Sequence, residues 1–355
     1  MPEAILFGAM KTNIILIFIF LGLVTWQCTK IDSSDRKLSL KESLEESIAK
    51  INTALDKISV SNGYKLLSVT EEGAKSDDIF YDSIDLKLIA GIYKFQPDTV
   101  LRHHFYFPYR LFKKTGTSDQ LIINLPEKMV FHPKKLHLYK LKDPVEKNNF
   151  KITASEYHFY YNWWNNFDYK LFADLALNSE DIGSMSILSR GKPLSGSKYS
   201  AKYAFPEGYS ITKFGQTGDT TRMSFALSED KDTLLMETIM FLGDGFKRKE
   251  KQYILTIGNV DIKRSTGIDS IQVFLDRVLQ KKAGARIIDN TDYNSSICYK
   301  RDILLTFDDG TTAKLSELIN PAHETLKTLV KSLGEMYFAK HIVDYIALNI
   351  YYNSR

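Results

Sequence analysis

The stretch SEYHFYYNWWNNFDYKLF, Ser155 to Phe172, gathers nine aromatic residues within one hairpin's length. Read as an extended strand, Tyr157, Phe159, Tyr161 and Trp163 share one face, and Glu156, His158, Tyr160 and Asn162 share the other. From the far end, Phe167, Tyr169 and Leu171 oppose Asp168 and Lys170. Cross-strand partners lie on the same side of a sheet, so the two halves agree only if the connecting loop has an odd number of residues. A three-residue loop, Trp164-Asn165-Asn166, meets that condition and offers asparagine for the left-handed backbone such loops need. An aromatic face backed by a polar one is the pattern of a half-buried antiparallel sheet. Trp164 is then expected at the turn, with Tyr160 on the polar face beside His158, Asn162 and Lys170. A ring flanked by amides there suits stacking on a sugar or contact with a bilayer interface.

The same texture runs from about Lys65 to Arg264: short segments rich in Ile, Tyr, Phe and Thr, separated by turn clusters. Pro206-Glu207-Gly208, Gly215 to Asp219, Ser228 to Asp232 and Gly243-Asp244-Gly245 fall at the spacing of a meander, with no helical pattern between them to cross over. A second aromatic run, HHFYFPYRLF from His103 to Phe112, is expected to supply a facing strand, with Pro108 at an edge or bulge.

Helices frame this body. From Leu38 to Val60, Leu44, Ile48, Ile51, Leu55 and Ile58 recur at helical spacing among acids and lysines, and Ser61-Asn62-Gly63 closes the segment. Its stripe either packs on the body or docks an envelope protein partner. STGIDSIQVFLDRVLQKKAG, Ser265 to Gly284, predicts a second helix, with a stripe of Ile271, Phe274, Leu275, Val278 and Leu279. Strands are expected near Ala285 to Asp289 and Ile297 to Phe307. A helix follows, started by Asn320-Pro321, carrying Leu326, Leu329, Val330 and Leu333, and ended by Gly334. Tyr337 to Tyr352 reads as a last helix. The fold class is therefore α+β, mainly β: a large antiparallel sheet, sandwich or open barrel, with an N-terminal amphipathic helix and C-terminal helices. The expected division is 38–264 for the first helix and β body, and 265–355 for an α/β part packed on it.

Composition narrows the function classes. The chain has 355 residues, 44% hydrophobic and 25% charged, with a formal charge of +4 spread along its length. Clusters such as Lys247-Arg248-Lys249-Glu250-Lys251 carry their own counter-charge, so nucleic acid is not an expected partner. The two cysteines, Cys28 and Cys298, are too few for a disulfide framework, and Cys298 reads as a small buried hydrophobe.

MKTNIILIFIFLGLVTWQC, Met10 to Cys28, has one positive residue, an apolar run from Ile14 to Trp26, and then a cysteine. The run suits a signal peptide and is short for a membrane span, which takes about twenty residues. The arrangement resembles a bacterial lipoprotein signal, although Trp26 and Gln27 stand where small residues are usual. That resemblance implies cleavage after residue 27 and lipidation of Cys28, with 28–37 as a polar tether and Met10 as a possible true start. The location implied is the cell envelope, anchored in the outer membrane. Short motifs beginning at Asp82, Asp98, Asp219, Asp232 and Asp269 resemble an O-glycosylation signal of exported proteins in the Bacteroidota.

Chemistry is harder to find. Thr306-Phe307-Asp308-Asp309-Gly310 resembles the first motif of polysaccharide deacetylases, but the paired histidines of that family have no counterpart, since His323 and His341 are eighteen apart. The expected role of Asp-Asp-Gly here is a tight turn. His103 with His104, and His132 with His137, point to opposite faces of their segments. No cofactor, metal site or catalytic set is nominated. The expectation is a non-enzymatic envelope module that binds an apolar or glycan ligand. The candidate contacts are Trp164, Tyr160, His158 and Asn162; the body is similar to periplasmic lipid-handling lipoproteins at the level of fold. A structural subunit of an outer-membrane complex and an envelope-glycan hydrolase are the alternatives.

Overall fold

The computed structural model describes residues 38–69, 83–98, 110–131, 147–162, 166–192, 196–242, 250–265, 271–289, 301–319, 323–335 and 338–354. The expected signal, tether and lipidation site at Cys28, together with Trp163, Trp164, Asn165, Cys298, Pro108, Asn320-Pro321 and the histidines from His103 to His137, lie outside the described residues.

Alternating burial builds one long sheet. It begins with β1 (Ile84–Asp85), β2 (Gly91–Phe95), β3 (Phe112–Gly116) and β4 (Leu121–Leu125). It continues through β5 (Phe150–Tyr161), β6 (Phe167–Leu177), β7 (Glu180–Lys192), β8 (Gly196–Ala204), β9 (Tyr209–Gln216) and β10 (Thr220–Glu229). The run ends with β11 (Asp232–Leu242), β12 (Glu250–Ile257), β13 (Val260–Ser265), β14 (Gln272–Leu275) and β15 (Val278–Leu279). From β4 to β15 each strand pairs antiparallel with the next. The pairing path has two ends, β15 and β3, so the sheet is open and not a closed barrel. One pair departs from the antiparallel expectation: β2 and β4 run parallel, because the β2–β3 hairpin sits at the edge and leaves β2 between β3 and β4. A small second sheet joins β16 (Gly284–Asp289), β17 (Arg301–Thr306) and β18 (Thr312–Lys314).

The aromatic hairpin keeps the expected faces with a shifted turn. Tyr161 pairs with Phe167, Phe159 with Tyr169 and Tyr157 with Leu171. The Asn162 amide donates to the Asn166 carbonyl at 3.0 Å, so pairing reaches residues 162 and 166 and leaves 163–165 between them. That interval begins one residue before the expected Trp164-Asn165-Asn166. Three residues remain an odd number, so the parity holds. Tyr157, Tyr169 and Leu171 are buried, and Phe159 packs against the core.

Helices cover the inner face of the sheet. α1 (Leu40–Val60) begins with a capping box: the Glu42 amide donates to Ser39 Oγ at 3.3 Å, and the Ser39 amide donates to Glu42 Oε2 at 2.9 Å. Leu44, Ile48, Ile51, Leu55 and Ile58 are all buried, where α1 packs on β11, β12 and β13. The stripe therefore packs on the body, the first of its two expected roles. Past Ser61 the chain turns into α2 (Asn62–Leu67), followed later by the short α3 (Leu86–Ile89), α4 (Glu127–Phe131) and α5 (Leu315–Ile319). α6 (His323–Glu335) packs on β8 and β9, and a π-helical turn (Ala339–Asp344) leads into α7 (Tyr345–Ser354), which touches β3. Residues Ser39–Arg355 form one compact unit.

Two expectations need correction. Ser265 to Gly284 is not helical in its described part: Val273 and Leu275 bury as alternate strand residues of β14, and Val278 and Leu279 are exposed on β15. Asp276 and Arg277, at φ of 49° and 66°, make the two-residue turn between them. Pairing of Ile262 with Val273 satisfies the β13 edge, which overrides a helical stripe. Gly334 does not end its helix, since α6 runs to Glu335; the Lys213 ammonium instead occupies the space where a Cβ at Gly334 would stand.

Candidate functional site

The polar side of the aromatic hairpin continues across the outer face of the sheet. Register carries one row from His158 on β5 to Lys170 on β6, Leu188 on β7, Ser200 on β8 and Phe214 on β9. Strands lie about 4.8 Å apart, so the row spans roughly 20 Å. A groove of about 410 Å³ opens along it, with Lys170, Leu188, Lys198, Ser200 and Phe214 among its walls. Glu156 and Ser186 close its other side.

Electrostatics divide the groove in two. At the β5–β6 end, Lys170 Nζ is 2.9 Å from Glu156 Oε2, and on the neighbouring row Arg190 Nε is 2.9 Å from Asp168 Oδ1. At the β8–β10 end, Lys198 Nζ stands 5.8 Å and the Arg222 guanidinium 5.9 Å from the centre of the Phe214 ring. Such cation–aromatic contacts hold the two cations near one another against their mutual repulsion.

Of the hairpin's expected contacts, Trp164 lies outside the described residues, and His158, Tyr160 and Asn162 lie at the end of this surface without lining the groove. His158 Nδ1 is 2.7 Å from Asp85 Oδ1 on β1. Asn162 Nδ2 donates to the Tyr160 hydroxyl at 3.0 Å, and Asn162 Oδ1 accepts from the Asn166 amide at 3.1 Å. Tyr160 and Asn162 thus brace the end of the hairpin, and His158 ties β1 to β5. Sequence reasoning misses Phe214 and Lys198. In the segment Tyr209–Gln216 an aromatic beside a lysine suggests Phe inward and Lys outward, and the fold does the reverse. Lys213 runs inward, where Nζ donates to the Val330 carbonyl of α6 at 3.4 Å, and Phe214 is left outside. The available signal is the parity of Ile211, which is buried on the same side as Lys213.

The most perturbed groups are on the other face. The Tyr157 and Tyr169 hydroxyls both donate to Asp344 Oδ1, at 3.1 and 2.9 Å. Burial pushes the Asp344 carboxyl up to about 7, against the lowering effect of the two hydroxyls and of Lys340. Burial first, and then the Asp344 charge, push both phenols well above their usual range, so they stay protonated donors. Asp344 is only 6% exposed and lies within the core. This cluster fastens the π-helical turn to the aromatic hairpin.

The Asp308-Asp309 pair forms the expected turn. Asp309 Oδ1 accepts from the Thr311 amide at 2.8 Å and from its hydroxyl at 2.6 Å, and Gly310 adopts φ of 81°. The Thr311 hydroxyl holds the Asp309 carboxyl below its ordinary value. Among the described residues no group of three or more His, Cys, Asp or Glu is arranged to hold a metal, and no helix is long and apolar enough to cross a membrane. Comparison with protein-family models, with curated proteins and with solved structures finds no match to this chain.

Proposed function

We propose that this chain is an envelope lipoprotein, anchored through Cys28, whose folded part is a non-enzymatic module that binds a glycan on the outer face of its sheet. The observation that carries the binding reading is the groove around Phe214. It sets an aromatic ring and Leu188 beside the hydroxyls of Ser186 and Ser200 and the ammonium of Lys198. Rings stack on the apolar faces of sugars, and hydroxyls and ammonium groups bond their edges. A glycan fits better than an apolar cargo, because α1 and α6 fill the inner side of the sheet with buried side chains. Among the described residues the groove carries a single carboxylate, Glu156, held by Lys170, whereas glycoside hydrolysis ordinarily uses two.

A glycan array probed with the protein tests the binding reading: selective retention that Phe214→Ala abolishes is expected, and no retention on any glycan would refute it. Cys28→Ala is expected to move the chain from the membrane to the soluble fraction. Unchanged membrane association would sink the anchor.

A further inference from the structure

The rim of the groove carries more cations than its acids compensate. Glu156 is engaged by Lys170 and Asp168 by Arg190. Lys198 lies in the groove, Lys202 pairs across the sheet with Ser186, and Arg222 pairs with Gln216, itself the partner of Lys198. None of these three cations is in an ion pair among the described residues. Lys198 and Arg222 converge on Phe214, so positive potential concentrates beside the aromatic ring on which a sugar would stack.

We propose that the groove takes an anionic glycan, whose sugars carry carboxylate or phosphate groups, and discriminates against neutral ones; this rests on the glycan-binding reading above. The sugar ring lies on Phe214 and Leu188. Its anionic group sits between Lys198 and Arg222, where a charge-assisted bond forms with each. Ser186 and Ser200 meet the ring hydroxyls. At the opposite wall Glu156 and Lys170 are engaged with each other, so the groove favours an anion at its Lys198 end and thereby sets the direction in which the chain lies.

The test is calorimetric titration of the full chain with oligogalacturonate, phosphomannan and dextran of matched length, alongside phosphatidylglycerol vesicles. Binding of either acidic glycan at least about tenfold tighter than dextran is expected, because hydrogen bonds to charged groups are the stronger ones. Lys198→Gln with Arg222→Gln is expected to erase that preference and flatten the salt dependence. Lys281→Gln with Lys282→Gln, far along the chain and exposed, is expected to change neither. Dextran bound as tightly as the acidic glycans would overturn the anionic assignment and leave glycan binding standing. Preferential capture of the vesicles, or equal losses from the Lys281 and Lys282 variants, would also overturn it. Failure of every glycan to bind would remove both readings.

Discussion

The two faces of β5 to β8 differ by one residue along each strand and by almost everything else. Inward, Tyr157, Leu171, Ile187 and Ala201 are buried against helices. Outward, their chain neighbours His158, Lys170, Leu188 and Ser200 form a row of mixed charge, hydroxyl and apolar groups that ends at Phe214. The inner face gains from excluding water, and a polar group buried there costs stability unless it is bonded, as Asp344 is by Tyr157 and Tyr169. The outer face has no such requirement. Its composition is therefore free to be set by recognition.

Substitutions that exchange the rules of the two faces test this contrast. The largest effect is expected at Asp344. Asp344→Ala leaves two buried phenol hydroxyls without an acceptor, at about 1–3 kcal/mol each, so a loss of about 2–6 kcal/mol is expected in urea unfolding. The carboxyl also imposes a pH dependence. Its folded value, about 7, lies above its ordinary 3.8, so the stability it confers is fully present below about pH 4 and falls as pH rises through 7. About three units at 1.36 kcal/mol each make this decline about 4 kcal/mol, complete above pH 7. Asp344→Asn keeps an acceptor oxygen and is expected to remove that part of the slope; an unchanged slope in denaturant titrations across pH 4 to 8 would exclude the carboxyl as its source.

Adjacent residues on β7 give the next contrast. Ile187→Ala empties a site 2% exposed and is expected to cost about 2–4 kcal/mol, while Leu188→Ala on the other face is expected to cost under about 1 kcal/mol. Equal losses would erase the distinction between the faces. Smallest is Lys170→Ala, which breaks an exposed ion pair and is expected to lower stability by about 1 kcal/mol or less in the same unfolding assay.

Much of this arrangement is legible in the residues. The α1 stripe and the parity of the aromatic hairpin hold because both follow from local periodicity with one face buried. The turn falls one residue earlier than expected because Trp163 to Asn166 offers two odd-numbered closures, and the Asn162–Asn166 hydrogen bond selects between them. Over β14 and β15 the spacing of Ile271, Phe274, Leu275, Val278 and Leu279 fits a helix as well as it could. Only the unpaired edge of β13, a tertiary fact, decides against it. The groove is invisible in the sequence because its walls come from five strands, and because Lys213 and Phe214 take the faces opposite to their ordinary preference.

The division of labour between the faces is tested most directly by measuring oligogalacturonate affinity and unfolding free energy together for Phe214→Ala. Affinity at least about tenfold weaker, with stability within about 1 kcal/mol of the parent, is the expected result. Undiminished affinity for the acidic glycan in a fully folded variant would contradict it.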